Sequence, residues 1–90
     1  MDNQNLAEVR IAAMQEYLIA IGFEAFVEIG HSTTFRHPDS GAVVTLTKNA
    51  DSELVRPADF SSIKFRLESE GLISENAVAE LNQGKLPLAS

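Results

Sequence analysis

The sequence predicts a small α+β domain in which one helix is followed by a three-stranded antiparallel meander and a second helix. Three observations support this fold class. Apolar residues recur every three or four positions before residue 22 and again after residue 57. They alternate over residues 23–29, β-forming residues follow up to residue 47, and glycine or proline separates these segments. Ninety residues suit one domain. A sheet this small needs its apolar face covered, so we expect both helices on one face.

The first helix is predicted over residues 6–21 and ends at Gly22. Its apolar stripe consists of Leu6, Val9, Ala13, Tyr17 and Ile21, widened by Met14 and Leu18. The next segment, residues 23–29, alternates in the manner of a half-buried strand. Its buried face is predicted to carry Phe23, Ala25, Val27 and Ile29.

Two further strands are predicted over residues 32–37 and 42–47, on either side of a turn at residues 38–41. Proline at the start of this turn fixes φ, Asp39 can bond forward to the backbone, and Gly41 accepts a positive φ. Residues 32–47 are therefore predicted to form a hairpin that completes the three-stranded meander.

The C-terminal half predicts two more helices. The first begins at Pro57, has Asp59 as its N-cap and ends at Gly71. Its sheet-facing stripe consists of Phe60, Ile63 and Leu67. A short helix is predicted over residues 74–84. The chain is accordingly divided into a domain of residues 1–73 and a C-terminal segment of residues 74–90, which is either marginal or a homodimer contact.

Composition excludes several classes of protein. The chain has no cysteine, so it has no disulfide framework and no thiol nucleophile. It lacks the positive leader of a signal peptide and the long apolar run of a membrane span, so we expect a cytoplasmic protein without membrane contact. The net charge of −6 disfavours nucleic acid, although residues 30–66 alone sum to +1. No glycine-rich phosphate loop or metal-ligand spacing occurs, and we expect neither cofactor nor metal.

Several short motifs occur in a fixed order between residues 11 and 73. They are Gly22-Phe23 after the first helix, Gly30 after the first strand, Phe35-Arg36-His37-Pro38-Asp39 with Gly41, Val43-Val-Thr-Leu46, and the run Phe60-Ser-Ser-Ile-Lys-Phe-Arg-Leu67 before Gly71-Leu72. In order and spacing they resemble the HicA (YcfA-like) family of bacterial toxins from toxin–antitoxin pairs. The resemblance implies a double-stranded-RNA-binding-like fold, metal-independent cleavage of messenger RNA assisted by a histidine, and neutralisation by a HicB-like antitoxin.

The resemblance fails at the family's usual active histidine. Counted back from the shared Phe35–Pro38 motif, that position is Ser32, and His31 lies one residue earlier. A shift of one residue along a strand sends a side chain to the opposite face of the sheet. A serine hydroxyl cannot shuttle protons near neutral pH as an imidazole does. The family's Pro-x-His after the third strand is also absent, since its places are held by Thr47 and Asn49.

Three functional hypotheses follow. The first is a HicA-like domain that has lost catalysis and binds or regulates a partner, a protein more readily than RNA. The second is an active ribonuclease that uses His31, and the third is a protein-interaction domain that keeps only the fold. Arg36, His37 and Phe26, with Lys48, Lys64 and Phe65, are the predicted contacts to RNA or a protein partner. His37 is also expected to form hydrogen bonds around its turn.

Overall fold

The fold was obtained as a computed structural model that describes residues 9–47 and 54–87. Its elements are α1 (Ile11–Ala20), β1 (Glu24–Ile29), β2 (Ser32–Arg36), β3 (Val43–Thr47), α2 (Pro57–Ser69) and α3 (Glu75–Asn82). The strands form one antiparallel sheet in the order β1-β2-β3. The predicted α+β fold class is confirmed, with one helix before the meander and two after it.

The core lies between one face of the sheet and the helices. The sheet contributes Phe35, Val44 and Leu46, and the helices contribute Ile11, Met14, Tyr17, Leu18, Phe60, Ile63, Leu67 and Leu81. Paired residues of an antiparallel sheet share a face, and successive residues alternate between faces. The buried positions of β2 and β3 therefore define a helix face, and the remaining positions of these strands lie on an open face.

Helix α1 starts later than predicted. Val9 and Arg10 are extended instead of helical: Arg10 forms an isolated bridge with Leu54, and the Val55 N–H donates to the Val9 carbonyl over 2.8 Å. Val9 is buried as part of this extended pairing and does not belong to the apolar stripe of a helix. The predicted start at residues 6–8 lies outside the described residues. Within α1 the stripe is also shifted, because Ile11 is buried and Ala13 is exposed.

Strand β1 differs most from its prediction. All six of its residues are exposed, and among the four apolar residues predicted to face the core only Phe23, which precedes the strand, is buried. Ala25 pairs with Phe35 and Val27 pairs with Thr34, so Phe26 is an extra residue in a β-bulge. Because of this extra residue, the side chains that follow it in β1 emerge on the opposite face of the sheet from the one predicted. Val27 and Ile29 consequently lie on the open face.

The two C-terminal helices follow their predictions closely. Helix α2 begins at Pro57 and buries its predicted stripe against the sheet. Its N-cap is Arg56 and not Asp59, whose Oδ2 instead accepts a hydrogen bond of 3.0 Å from the Thr47 N–H at the end of β3. In α3 the Ser74 hydroxyl caps the helix by accepting from the Ala77 N–H. Leu81 of α3 is buried in the same core as α1 and α2.

Candidate functional site: the open face of the sheet

His31 lies at the tip of the β1–β2 hairpin. Gly30 and His31 form a two-residue connection between the paired residues Ile29 and Ser32, and Gly30 has a φ of 58°. The imidazole is exposed, and within residues 9–47 and 54–87 it makes no hydrogen bond or ion pair. A general base usually has a neighbour that fixes its tautomer. The described residues supply none for His31.

Ser32, at the position of the family histidine, lies on the open face of the sheet. Its partners across the two neighbouring strands are Ile29 and Thr47. It is half-buried, and neither cross-strand partner is an imidazole or a carboxylate. This arrangement gives Ser32 the surroundings of an ordinary strand hydroxyl and not of a nucleophile.

His37 has both ring nitrogens engaged within the protein. The Ser40 N–H donates to Nδ1 over 3.3 Å, so Nε2 carries the proton and donates to the Ile21 carbonyl at 3.2 Å. The ring packs edge to face on Phe23, with centroids 5.1 Å apart. The hydrogen bond within the turn matches the sequence-based expectation, whereas the bond to Ile21 was not predicted. His37 joins the β2–β3 turn to the corner between α1 and β1.

Gly22 makes room for this histidine. Its φ is 109°, and a Cβ added there would lie 2.8 Å from the His37 Nε2. Glycine is required at this corner both by the backbone conformation and by the closeness of the imidazole ring. The Gly22-Phe23 motif therefore positions His37, and this pair of residues is structural.

Apolar side chains cluster on the open face. They are Ile29, which is 72% exposed, Phe26 at 61%, Val27 at 43% and Val43 at 42%. In register they share this face with Glu24, Ser32, Thr34, Arg36, Thr45 and Thr47. The Arg36 guanidinium carbon lies 5.0 Å from the centroid of the Phe26 ring, which places the bulge residue on the same face. No described helix covers this surface, which we call the open-face patch.

The open-face patch is electrically neutral. Among its described residues the formal charges are Glu24 and Arg36, which are cross-strand partners. Glu28 belongs to the other face, because it pairs with the buried Thr33. The hydroxyls of Thr34 and Thr45 lie 3.5 Å apart across β2 and β3. A surface with one cation offers little to a phosphate backbone.

Both edges of the sheet are modified against strand addition. The β-bulge at Phe26 interrupts the regular spacing of backbone groups along β1. At the other edge the Asp59 carboxylate occupies the Thr47 N–H. The open face of the sheet is therefore more accessible to a binding partner than either of its edges.

The remaining predicted contact residues do not join this patch. Lys48 lies outside the described residues. Lys64 and Phe65 belong to α2, on the helix side of the sheet, and Phe65 is 67% exposed. A groove of about 550 Å³ lies between α1 and the C-terminal segment, and its lining includes Ala13, Glu16 and Leu86 but neither His31 nor Ser32. The predicted contacts thus divide between two layers of the fold.

Sequence reasoning missed Val27 and Ile29 as surface residues because regular alternation placed them in the core. It did identify Phe26 and Arg36. Within the described ranges no trio of histidine, aspartate or glutamate side chains is placed to hold a metal ion, and no helix is long and apolar enough to span a membrane. Comparison of the chain with protein-family models, curated proteins and solved structures finds no match. The HicA resemblance therefore stays a prediction from the quoted motifs.

Proposed function

We propose that this chain is a binding module, a HicA-like domain without ribonuclease activity, that recognises a protein through its open-face patch. The observation that carries the proposal is the cluster of Phe26, Val27, Ile29 and Val43 on a sheet face that no described helix covers. Contiguous exposed apolar patches on soluble domains commonly mark interaction sites. The apolar area that the fold leaves in water is then buried by the partner.

The surroundings of His31 and Ser32 support a non-catalytic role. An acid–base ribonuclease needs a proton shuttle held at the scissile phosphate, with a second group that orients it. His31 stands on an exposed hairpin tip, and the cross-strand partners of Ser32 are Ile29 and Thr47. Nothing among the described neighbours assembles a catalytic pair around either residue.

A protein partner fits the patch better than RNA does. Single-stranded RNA is bound by a positively charged groove together with stacking aromatic rings. The open-face patch supplies one aromatic ring, Phe26, and one cation, Arg36, which already lies over that ring. Its other members are aliphatic side chains and threonines, which suit a protein surface.

An active messenger-RNA interferase neutralised by a HicB-like antitoxin is the second candidate. It is favoured by one observation: His31 is accessible to solvent and adjoins Ser32, the position of the family histidine. Incubation of purified protein with messenger RNA separates the two functions. We expect intact RNA, and cleavage that disappears in His31→Ala would overturn the non-catalytic proposal.

Site-specific photo-crosslinking tests the binding proposal in cells. A photoreactive phenylalanine analogue is placed at Phe26, and separately at Phe65 as a control. The two rings are similarly exposed, at 61% and 67%, but lie in different layers of the fold. We expect protein adducts from position 26 that are weak or absent from position 65. Equal labelling from both positions, or adducts to RNA alone, would contradict recognition of a protein by the open-face patch.

A further inference from the structure

We infer that the open-face patch binds a second copy of this chain, so that two sheets pack face to face in a two-fold symmetric dimer. This inference rests on the proposed function and names its partner. It places the dimer contact on the sheet, away from the C-terminal segment, whose Leu81 is committed to the core of its own chain.

The charges of the patch are self-complementary. A two-fold contact uses the same surface on both copies, so each acidic group must find a basic group within that surface. Glu24 and Arg36 lie side by side across β1 and β2, and their formal charges cancel. In a two-fold pairing, Glu24 of each copy can face Arg36 of the other.

The net charge of the chain favours contact between two copies at this face over contact elsewhere. The chain carries a net charge of −6, so two copies repel each other in most orientations. The open-face patch contributes no net charge to that repulsion and exposes four apolar side chains. A partner of opposite sign would instead be expected outside the neutral patch, where the net negative charge of the chain resides. The neutral patch therefore favours a copy of this chain over a basic protein.

The residue types of the open-face patch, together with the two modified edges of the sheet, favour face-to-face packing of the sheets of two copies. Sheets that stack in this way lie about 10 Å apart and interdigitate alternate side chains from their inner faces. The patch presents β-branched side chains, Val27, Ile29, Val43 and Thr45 among them, which suit such a layer. Edge-to-edge pairing is opposed by the bulge at Phe26 and by the Asp59 carboxylate on the Thr47 N–H.

The area of the patch predicts a weak dimer. Three strands about 4.8 Å apart, with about five residues of 3.3 Å each, give a footprint of roughly 14 by 17 Å. Side-chain relief enlarges this surface, but it stays below the roughly 800 Å² per partner of a standard interface. We therefore expect association that depends on chain concentration within the accessible range, and not an obligate dimer.

Sedimentation velocity over a wide dilution series tests this inference on the full chain. We expect the wild-type mass to rise from one chain to two with concentration. Ile29→Asp, in the patch, is expected to stay monomeric at every concentration, whereas Phe65→Asp, on the exposed side of α2, follows the wild type. Circular dichroism establishes that both variants are folded. A wild-type chain that is monomeric throughout, or an Ile29→Asp variant that dimerises normally, would overturn the inference.

A charge-reversal mixture tests the pairing between copies. Glu24→Arg gives a patch with two cations and Arg36→Glu gives one with two anions, so each variant alone is expected to lose dimerisation. An equimolar mixture is expected to recover a heterodimer, because every contact between copies is then of opposite sign. No recovery, with both variants folded, contradicts the two-fold pairing of Glu24 with Arg36.

The photo-crosslinks at Phe26 separate this inference from the proposed function. Adducts between two copies of the chain support both. A monomeric chain whose position 26 couples to a different protein disproves the dimer and leaves the binding function standing. A monomeric chain without protein adducts at this position contradicts both.

Discussion

The helix face and the open face of the sheet are built from the same strands but have opposite surroundings. On the helix face, Phe35 and Leu46 are 1% and 0% exposed; on the open face, Ile29 is 72% exposed and Val43 is 42% exposed. Apolar side chains stabilise a fold when they leave water. Those of the helix face therefore hold the domain together, whereas Phe26 and Ile29 contribute little to the isolated chain. Their exposure is the basis of the binding function that we propose.

Alanine substitutions on the two faces give the largest expected contrast. Phe35→Ala removes a fully buried ring and is expected to lower the free energy of unfolding by about 3–5 kcal/mol. Ile29→Ala is expected to change it by less than about 0.5 kcal/mol, as for an ordinary surface substitution. Urea unfolding followed by circular dichroism measures both, at a chain concentration low enough for the wild type to be monomeric. A loss at Ile29 comparable to that at Phe35 would mean that the open face is covered within a single chain.

The contrast between the faces also marks where sequence reasoning succeeds. Strands β2 and β3 are rich in β-forming residues, and the turn at residues 38–41 joins them, so the hairpin could be predicted. Helix α2 could be predicted for the same kind of reason, since Pro57 starts it and its apolar residues recur with helical spacing. These elements obey local rules that agree with the final fold.

Strand β1 shows where prediction from the local sequence pattern fails. Its alternation is regular in sequence, but one extra residue at Phe26 reverses the side on which Val27 and Ile29 emerge. Nothing in the strand's own sequence signals a bulge, because the bulge is defined by pairing with β2. The candidate site could be predicted only in part for the same reason. Phe26 and Arg36 could be identified, but Val27 and Ile29 were assigned to the core.

The corner that holds His37 gives the next largest expected effect. Gly22→Ala combines an unfavourable backbone conformation with a Cβ 2.8 Å from the His37 Nε2, and we expect it to cost about 2–3 kcal/mol. Gly30→Ala is a matched control, because Gly30 also has a positive φ but a Cβ there would meet nothing within 4 Å. We expect about 1 kcal/mol for this control.

Urea unfolding measures the stability lost in each glycine variant, and the NMR shifts of the His37 imidazole show whether the ring has moved. Together they separate backbone strain at the glycine from displacement of the His37 ring. Only Gly22→Ala should move the His37 resonances. If the two variants lose equal stability and the His37 signals stay fixed, the contact between the glycine and the ring has no energetic role. The β2–β3 turn would then be held by its own hydrogen bonds alone.

A smaller effect is expected at the protected edge of β3. Asp59→Ala removes the acceptor of the Thr47 N–H and an acidic group from the first turn of α2, and we expect a loss of about 1–2 kcal/mol. Asp59→Asn keeps an acceptor oxygen and should lose less. Native-state hydrogen exchange reads the contact directly, since the Thr47 amide should exchange faster in the alanine variant. Unchanged protection of this amide would show that the carboxylate does not shield the edge.

The smallest expected effect concerns Tyr17, which packs α1 on the helix face. Burial raises the pKa of its hydroxyl above 10.0, and the nearby Glu80 carboxylate of α3 raises it further. The folded chain therefore holds this proton more tightly than the unfolded chain. The resulting stabilisation is fully present below pH 10 and is lost as the pH rises through the folded-state pKa.

Tyr17 is the only tyrosine and the chain has no tryptophan, so the ultraviolet absorbance of the protein reports the titration of this one hydroxyl. We expect a midpoint above 10.0 in the folded chain, a lower one in Glu80→Gln, and a midpoint near 10.0 in urea. A folded-state midpoint at or below 10.0 would mean that α3 leaves Tyr17 open to water, and the helix face would then be less completely covered than its other residues indicate.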